Sequence, residues 1–99
     1  MSYSIKYLAS ADQDLCDIAD YLSRFYESTF KKFMAVFEES ILRLTETPFM
    51  YEEFHDDSYY RRMVVGDYLI FYHVDDEKCV VEIHRVLHGS RDIKRYITE

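Results

Sequence analysis

The chain has 99 residues, of which 48% are hydrophobic and seventeen are Tyr or Phe, and its formal net charge is −7. A single domain of this size buries roughly 60–70% of its unfolded surface, so it can form one core without disulfide or metal staples. The acidic balance argues against loose, non-specific nucleic-acid binding, because such binding depends on the neutralisation of phosphates.

The sequence shows no sign of export or membrane insertion. No apolar run approaches the ~20 residues that a membrane-spanning helix needs, and the N-terminus lacks the basic-then-apolar layout of a signal peptide. We therefore expect a cytoplasmic protein. Cys16 and Cys79 are then expected to be reduced thiols that pack as small apolar residues.

The first half of the sequence predicts a strand followed by a helical hairpin. Residues Ser4–Leu8 alternate and indicate a short strand. Ser10 and Gln13 have the spacing of a capping box at a helix start. Apolar residues then recur at helical spacing on one stripe, at Leu15, Ile18, Ala19, Leu22, Phe25 and Tyr26. Ser28 can cap a second helix, which Pro48 would end.

The second half predicts three strands. Tyr59–Val65 and Tyr68–Val74 are separated by Gly66-Asp67, a two-residue hairpin signal, and Cys79–His88 is the last strand. Residues 49–58 are predicted to form a loop and residues 92–97 a short helical segment. The order β-α-α-β-β-β predicts one α+β domain over residues 1–99, in which a helical hairpin packs on an antiparallel β-sheet in two layers.

The end of the last predicted strand carries the residues with the most chemistry. His84 and His88 would chelate one metal from a helix, but four residues of strand span about 13 Å, which is too far for one ion. Ser90 lies near His88 without the strand-turn-helix elbow of a nucleophilic serine. The sequence contains neither a Walker motif nor a dinucleotide fingerprint. We therefore expect no metal and no cofactor.

Six cationic or titratable side chains remain as a candidate anion-binding cluster: Arg61, Arg62, His84, Arg85, His88 and Arg91. Period-two alternation puts Arg85 on the core side with Val81, Ile83 and Leu87, so its guanidinium is predicted to pair with a carboxylate. The same alternation puts His84 and His88 on the other face with Val86. Arg62, His88 and Arg91 are then the side chains most able to face a ligand.

Such a set has two chemical uses. Arginines are planar, bidentate donors to phosphate. Together with a histidine of near-neutral pKa they could also cleave RNA without metal, the guanidinium stabilising the phosphorane and the imidazole moving the proton. The alternative is ordinary ion pairing at the surface.

Taken in order, these elements resemble the RelE/ParE toxins of type II toxin–antitoxin systems. The resemblance rests on Tyr60-Arg61-Arg62, on the strand that begins at Tyr68, and on the run from Val80 to Asp92. It includes the first helix, with Asp14, Leu15, Ile18 and Tyr21.

The resemblance implies one fold with two activities. RelE-like members cut mRNA in the ribosomal A site, and ParE-like members poison DNA gyrase. The paired lysines of RelE-like members fall here on Arg61 and Met63, and their third-strand arginine falls on Leu69. Arg91 matches their C-terminal arginine, and Tyr96 lies near their C-terminal tyrosine. If the chain acts as a RelE-like ribonuclease, its candidate catalytic residues are Arg62, His88, Arg91 and Tyr96.

The departures at Met63 and Leu69 favour the ParE-like activity. The alternatives are a ribosome-dependent, metal-independent mRNA endonuclease and a degenerate member that only binds antitoxin. In each case the resemblance implies a cognate antitoxin, with gyrase, or the ribosome with its mRNA, as the target. The candidate target contacts are Arg61, Arg62, His84, His88 and Arg91, and the candidate antitoxin anchors are Tyr3, Tyr7, Phe25, Tyr26 and Phe49.

Overall fold

The fold confirms the predicted order of elements. A computed structural model of the protein describes residues 2–25 and 27–90. It contains strand β1 (Ser4–Tyr7), helices α1 (Ala9–Phe25) and α2 (Glu27–Glu46), and strands β2 (Arg61–Val65), β3 (Tyr68–Asp75) and β4 (Val80–His88). The predicted helical segment over residues 92–97 lies outside the described residues. Within the described part, neither helix is both long and apolar enough to cross a membrane.

The sheet is mixed, which corrects the all-antiparallel prediction. Its strand order is β1-β4-β3-β2; β2, β3 and β4 form the predicted antiparallel meander, but β1 lies parallel to β4. The helical hairpin explains the difference. It returns the chain to the end of the sheet where β1 began, and the Tyr3 N–H donates to the Thr45 carbonyl there at 2.8 Å. Strand β2 therefore runs in the same direction as β1. Strand β3 runs in the opposite direction, and β4 again runs parallel to β1.

Helix α1 starts without the predicted capping box. The Asp12 N–H donates to the Leu8 carbonyl at 3.0 Å, so the helix begins at Ala9. Ser10 lies inside the helix and its hydroxyl donates to the carbonyl of His84 in β4 at 2.8 Å, while the Gln13 amide donates to Asp17. Ser10 thus bonds the sheet rather than its own helix.

The main core lies between the helical hairpin and one face of the sheet. It buries apolar side chains from both layers, namely Ile18, Phe37, Ile41, Leu44, Met63, Val65, Ile70, Tyr72, Val81, Ile83 and Val86. A smaller cluster of Phe54, Phe71 and Leu87 lies on the opposite face, which we call the outer face. Of the predicted α1 stripe, Phe25 is exposed, because it comes at the last turn of the helix, and Tyr26 lies outside the described residues.

A β-bulge at His84 changes which side chains share a face. Phe71 pairs with Arg85 and Tyr72 pairs with Ile83, so His84 is an extra residue in β4. One inserted residue reverses the alternation beyond it. Val86 therefore faces the helices and Leu87 the outer face, and both predicted placements were wrong.

Candidate functional site

Arg85 is held by Asp14, as the predicted carboxylate pairing requires. The Arg85 Nε and one terminal nitrogen each donate to an oxygen of Asp14 at 2.8 Å, and the backbone N–H of Val86 donates to the same carboxylate at 2.9 Å. Asp14 is only 9% exposed. A buried ion pair of this kind is stable when additional hydrogen bonds satisfy it. Arg85 is therefore a structural residue that fastens α1 to β4.

The two arginines of β2 have different surroundings. Arg61 donates to the Tyr51 carbonyl at 2.7 Å, lies 3.7 Å from Glu53 and covers the ring of Phe49. Arg62 pairs in register with Phe71, which puts it on the outer face, where it is exposed. Among the arginines of the described residues, the side chain of Arg62 alone forms no ion pair with a carboxylate. Arg62 is thus available to a ligand, whereas Arg61 holds the 49–53 segment.

His84 belongs to an aromatic cluster on the outer face. Its Nε2 lies 3.2 Å from Glu82, and its ring meets those of Tyr59 and Tyr60 edge-on. His73 stacks on Tyr59 with ring centroids 3.8 Å apart, and its Nδ1 hydrogen-bonds the Tyr59 carbonyl at 2.9 Å. Burial, with Glu82 and Asp75 nearby, raises the pKa of Tyr59. These contacts hold the end of the 49–60 segment against the sheet.

His88 lies on the helix-facing side, in an open cleft between the hairpin and the end of the sheet. Its ring meets Tyr68 edge-on, and its Nδ1 lies 2.7 Å from the Ser90 hydroxyl. The backbone N–H of Ser90 also donates to Nδ1, at 3.1 Å. Because Nδ1 accepts these bonds, a neutral His88 carries its proton on Nε2. The remaining nitrogen, Nε2, is then a donor.

The predicted cations do not form one cluster. His84 and His88 lie on opposite faces because of the bulge. Arg62 and His88 also lie on opposite faces, and the register separates them by two strands, about 10 Å across the sheet, and by three residues, about 10 Å along the strands. Arg91 and Tyr96 lie outside the described residues. Within residues 2–25 and 27–90, no group of three or more potential ligands could hold a metal ion.

Met63 and Leu69, the two residues that favour the ParE-like activity over RNA cleavage, differ in their structural surroundings. Met63 is fully buried beneath the helices, so a charged residue there would disrupt the core. Its apolar character follows from packing. Leu69 is only half-buried, against the outer-face cluster, so the fold constrains this position less than it constrains Met63. The departure at Leu69 is therefore the more informative of the two.

The candidate antitoxin anchors divide by exposure. Tyr3 and Tyr7 pack against the main core, and a hydrogen bond to Asp76 raises the pKa of Tyr3 to about 12. Phe25 and Phe49 are well exposed, as is Tyr21 beside Phe25. Only the exposed rings can meet a partner without rearrangement of the core.

Two residues that form contacts in these regions, His73 and Asp14, were not predicted to do so from the sequence. His73 falls in the middle of an apolar strand, and nothing in its sequence neighbourhood announces its stacking on Tyr59. Asp14 was noted only as part of the first helix, although an acidic residue that interrupts an apolar stripe is itself a signal of a buried partner. The cleft also depends on the bulge, which has no local sequence signature here.

The fold is that of the RelE/ParE toxins. A chain of the chromosomal ParDE TA system of P. aeruginosa superposes with a TM-score of 0.72 at 15% identity, over 88% of this chain and 96% of that one. The RelBE2 complex of Mycobacterium tuberculosis gives 0.64 at 22% identity, over 89% and 99%. The isolated E. coli RelE toxin gives 0.64 at 14% identity, over 95% and 93%.

The amino-acid sequence identifies one family among the toxins that share this fold. The family model of the ParE toxin of type II toxin–antitoxin systems, parDE, matches residues 5–93, and the chain therefore belongs to the ParE toxin family. No curated protein sequence matches the chain significantly.

Proposed function

We propose that this protein is a toxin that arrests growth by poisoning DNA gyrase and that a cognate antitoxin neutralises it. The observation that carries the proposal is the separation of the candidate arginines and histidines among residues 2–25 and 27–90. Arg61 and Arg85 are bound to backbone and carboxylate partners, and His84 and His88 lie on opposite faces.

Metal-independent RNA cleavage has a different requirement. A guanidinium must lie where charge develops on the phosphorane, and a proton-transferring group must lie within hydrogen-bond reach of the reacting oxygen. Among the described residues Arg62 and His84 share the outer face, but they lie two strands apart, about 10 Å, and the Nε2 of His84 is bound to Glu82. A toxin that acts by binding its target needs only exposed contacts, and Arg62 supplies one.

The antitoxin part of the proposal is supported by the structural neighbours. The RelBE2 chain of M. tuberculosis was found in a toxin–antitoxin complex, and E. coli RelE in complex with a peptide of its antitoxin. The exposed rings of Tyr21, Phe25 and Phe49 give a partner apolar surface of the kind that interface cores use.

The proposal is tested by induction of the toxin in cells without antitoxin. We expect growth arrest with a DNA-damage response and intact mRNA, reversed by co-expression of the antitoxin. Codon-phased mRNA cuts without DNA damage would instead identify a ribosome-dependent endonuclease. Undisturbed growth at a confirmed level of folded toxin would identify a chain that only binds antitoxin.

A further inference from the structure

Three methionines lie among the described residues, and Met50 is the one whose side chain meets solvent. Met50 is 53% exposed, whereas Met63 is fully buried and Met34 is half-buried against the main core. A thioether is oxidised at its sulfur to methionine sulfoxide, which is polar where methionine is apolar. An oxidant in solution therefore reaches the sulfur of Met50 before it reaches those of Met34 and Met63.

The backbone on either side of Met50 is fixed to the rest of the fold. The Tyr72 hydroxyl donates to the Pro48 carbonyl at 2.9 Å, and the Arg61 guanidinium donates to the Tyr51 carbonyl at 2.7 Å. Oxidation of an exposed side chain on such a backbone leaves the core intact. Its effect is expected at the surface around Met50 and not in the stability of the fold.

The Thr47 hydroxyl lies within hydrogen-bond distance of two acceptors. Its Oγ1 is 3.1 Å from the Met50 sulfur and 3.1 Å from the Arg43 carbonyl. A hydroxyl has one proton to donate, and the carbonyl takes it because a thioether sulfur is a weak acceptor. The sulfur lone pairs are therefore open to an oxidant. A sulfoxide oxygen would attract that proton instead, and the Arg43 carbonyl would still accept the Thr47 N–H, at 3.0 Å.

Met50 shares a small pocket with Arg62, the arginine proposed to contact the target. The pocket has a volume of about 300 Å³, and Val64 of β2, which is exposed, also lines it. Unmodified, it offers a partner the apolar side chains of Met50 and Val64 beside one guanidinium. Oxidation replaces one of these apolar contacts by a polar oxygen that accepts hydrogen bonds from a guanidinium or a hydroxyl.

We propose that Met50 is a redox-sensitive site: peroxides oxidise it to the sulfoxide, and the sulfoxide weakens the contact of the toxin with gyrase. A sulfur lone pair attacks one oxygen of hydrogen peroxide, the S–O bond forms as the O–O bond breaks, and the other oxygen leaves as water with both protons. The sulfur loses two electrons and the peroxide gains them. Methionine sulfoxide reductases reverse the change. The effect on gyrase rests on the proposed function, whereas the oxidation site does not.

The first test is peptide mapping by mass spectrometry after mild treatment of the purified toxin with hydrogen peroxide. We expect Met50 to be oxidised roughly ten-fold faster than Met34 and Met63, because susceptibility follows exposure. In urea the three rates should converge, since unfolding exposes all three side chains. Equal rates in the folded toxin would overturn the assignment of Met50 as the site.

The second test compares gyrase inhibition by wild type and by Met50→Leu, each before and after the same treatment. Leucine has a similar volume and no sulfur. Cys16 and Cys79 are present in both proteins, so thiol oxidation affects both alike. We expect treated wild type to need roughly five-fold more toxin for half-inhibition, as for the loss of one interface contact, and to recover with sulfoxide reductase. Treatment should change Met50→Leu far less.

The outcomes of the two tests are distinguishable. If Met50 is oxidised first but treatment leaves wild-type inhibition unchanged, or lowers it equally in Met50→Leu, the sulfoxide does not weaken the contact and the proposal is wrong. If untreated wild-type toxin leaves gyrase active, the proposed function fails and the effect on gyrase fails with it. The peptide map then still decides whether Met50 is the oxidation site.

Discussion

Asp14 of α1 binds Arg85 of β4 through both carboxylate oxygens, at 2.8 Å each, and accepts the Val86 N–H as well. Removing one partner of such a buried pair leaves an uncompensated charge, which costs about 3–5 kcal/mol. Asp14→Ala is therefore expected to lower the free energy of unfolding by about that amount. Urea denaturation with circular dichroism measures it.

A carboxylate on the same helix serves as the control. Asp17 is exposed, so Asp17→Ala is expected to change stability by no more than about 0.5 kcal/mol. The double variant Asp14→Leu, Arg85→Met removes both charges and should be more stable than Asp14→Ala alone. Equal stability of the Asp14→Ala and Asp17→Ala variants would show that the pair does not hold α1 on the sheet.

Gly66 is the glycine whose backbone requires it. It lies at φ 59° in the turn between β2 and β3, a region that L side chains rarely adopt. Gly66→Ala has free space for its Cβ and should still destabilise the protein by about 1 kcal/mol through backbone strain. Gly89→Ala places its Cβ 3.4 Å from the Asp67 carbonyl and is expected to cost less. Thermal unfolding of the two variants ranks them, and the reverse ranking would contradict this account of the hairpin.

Tyr72 links the stability of the fold to alkaline pH. Its side chain is fully buried, its hydroxyl donates to the Pro48 carbonyl at 2.9 Å, and burial raises its pKa from 10.0 to about 12. The folded state retains this proton to a higher pH than the unfolded chain does. The stabilisation that the Tyr72 hydroxyl provides is therefore complete below about pH 10 and is lost as the pH rises towards 12.

Tyr72→Phe separates the two effects. At neutral pH it should cost about 1 kcal/mol, because the Pro48 carbonyl loses its donor, and between pH 10 and 12 its stability should decline less steeply than that of the wild type. The exposed ring of Tyr21 provides a control for the neutral-pH measurement, where Tyr21→Phe should stay within about 0.5 kcal/mol. Parallel stability profiles for wild type and Tyr72→Phe above pH 10 would rule out this role for Tyr72.

Arg62 is the described arginine most able to contact the target. Arg62→Ala is expected to reduce growth inhibition without lowering the melting temperature, since its guanidinium forms no ion pair in the fold. Arg24 pairs with Asp20 on the exposed side of α1 at 2.9 Å, so Arg24→Ala removes the same charge and should leave toxicity intact. Equal toxicity of Arg62→Ala and wild type, at matched protein levels, would remove Arg62 from the target surface.

The sequence predicted the elements well because each has a local signal. Helical spacing of Phe37, Ile41 and Leu44 identifies α2, and Gly66-Asp67 identifies the β2–β3 hairpin. The direction of β1 could not be predicted, because it depends on where a helical hairpin returns the chain. The pairing of Arg85 with a carboxylate was predicted, but the identity of its partner as Asp14, 71 residues away, was not. The predicted core-side position of Arg85 was wrong, because its register partner Phe71 belongs to the outer face.

The candidate site was predicted less well, for one identifiable reason. Period-two alternation was applied through His84, where β4 carries an extra residue. Every side chain after the bulge therefore points to the opposite face from the one predicted. That single residue separates His84 from His88 and places the end of β4 in the cleft.

We propose that this ParE-family toxin acts on DNA gyrase, and purified components test this proposal most directly. Gyrase is incubated with relaxed plasmid, ATP and the toxin, and a parallel translation reaction receives the same toxin. The account predicts that the toxin inhibits supercoiling and traps cleaved DNA while mRNA stays intact, and that the antitoxin reverses the effect. Normal supercoiling together with ribosome-dependent mRNA cleavage by the same preparation would contradict it.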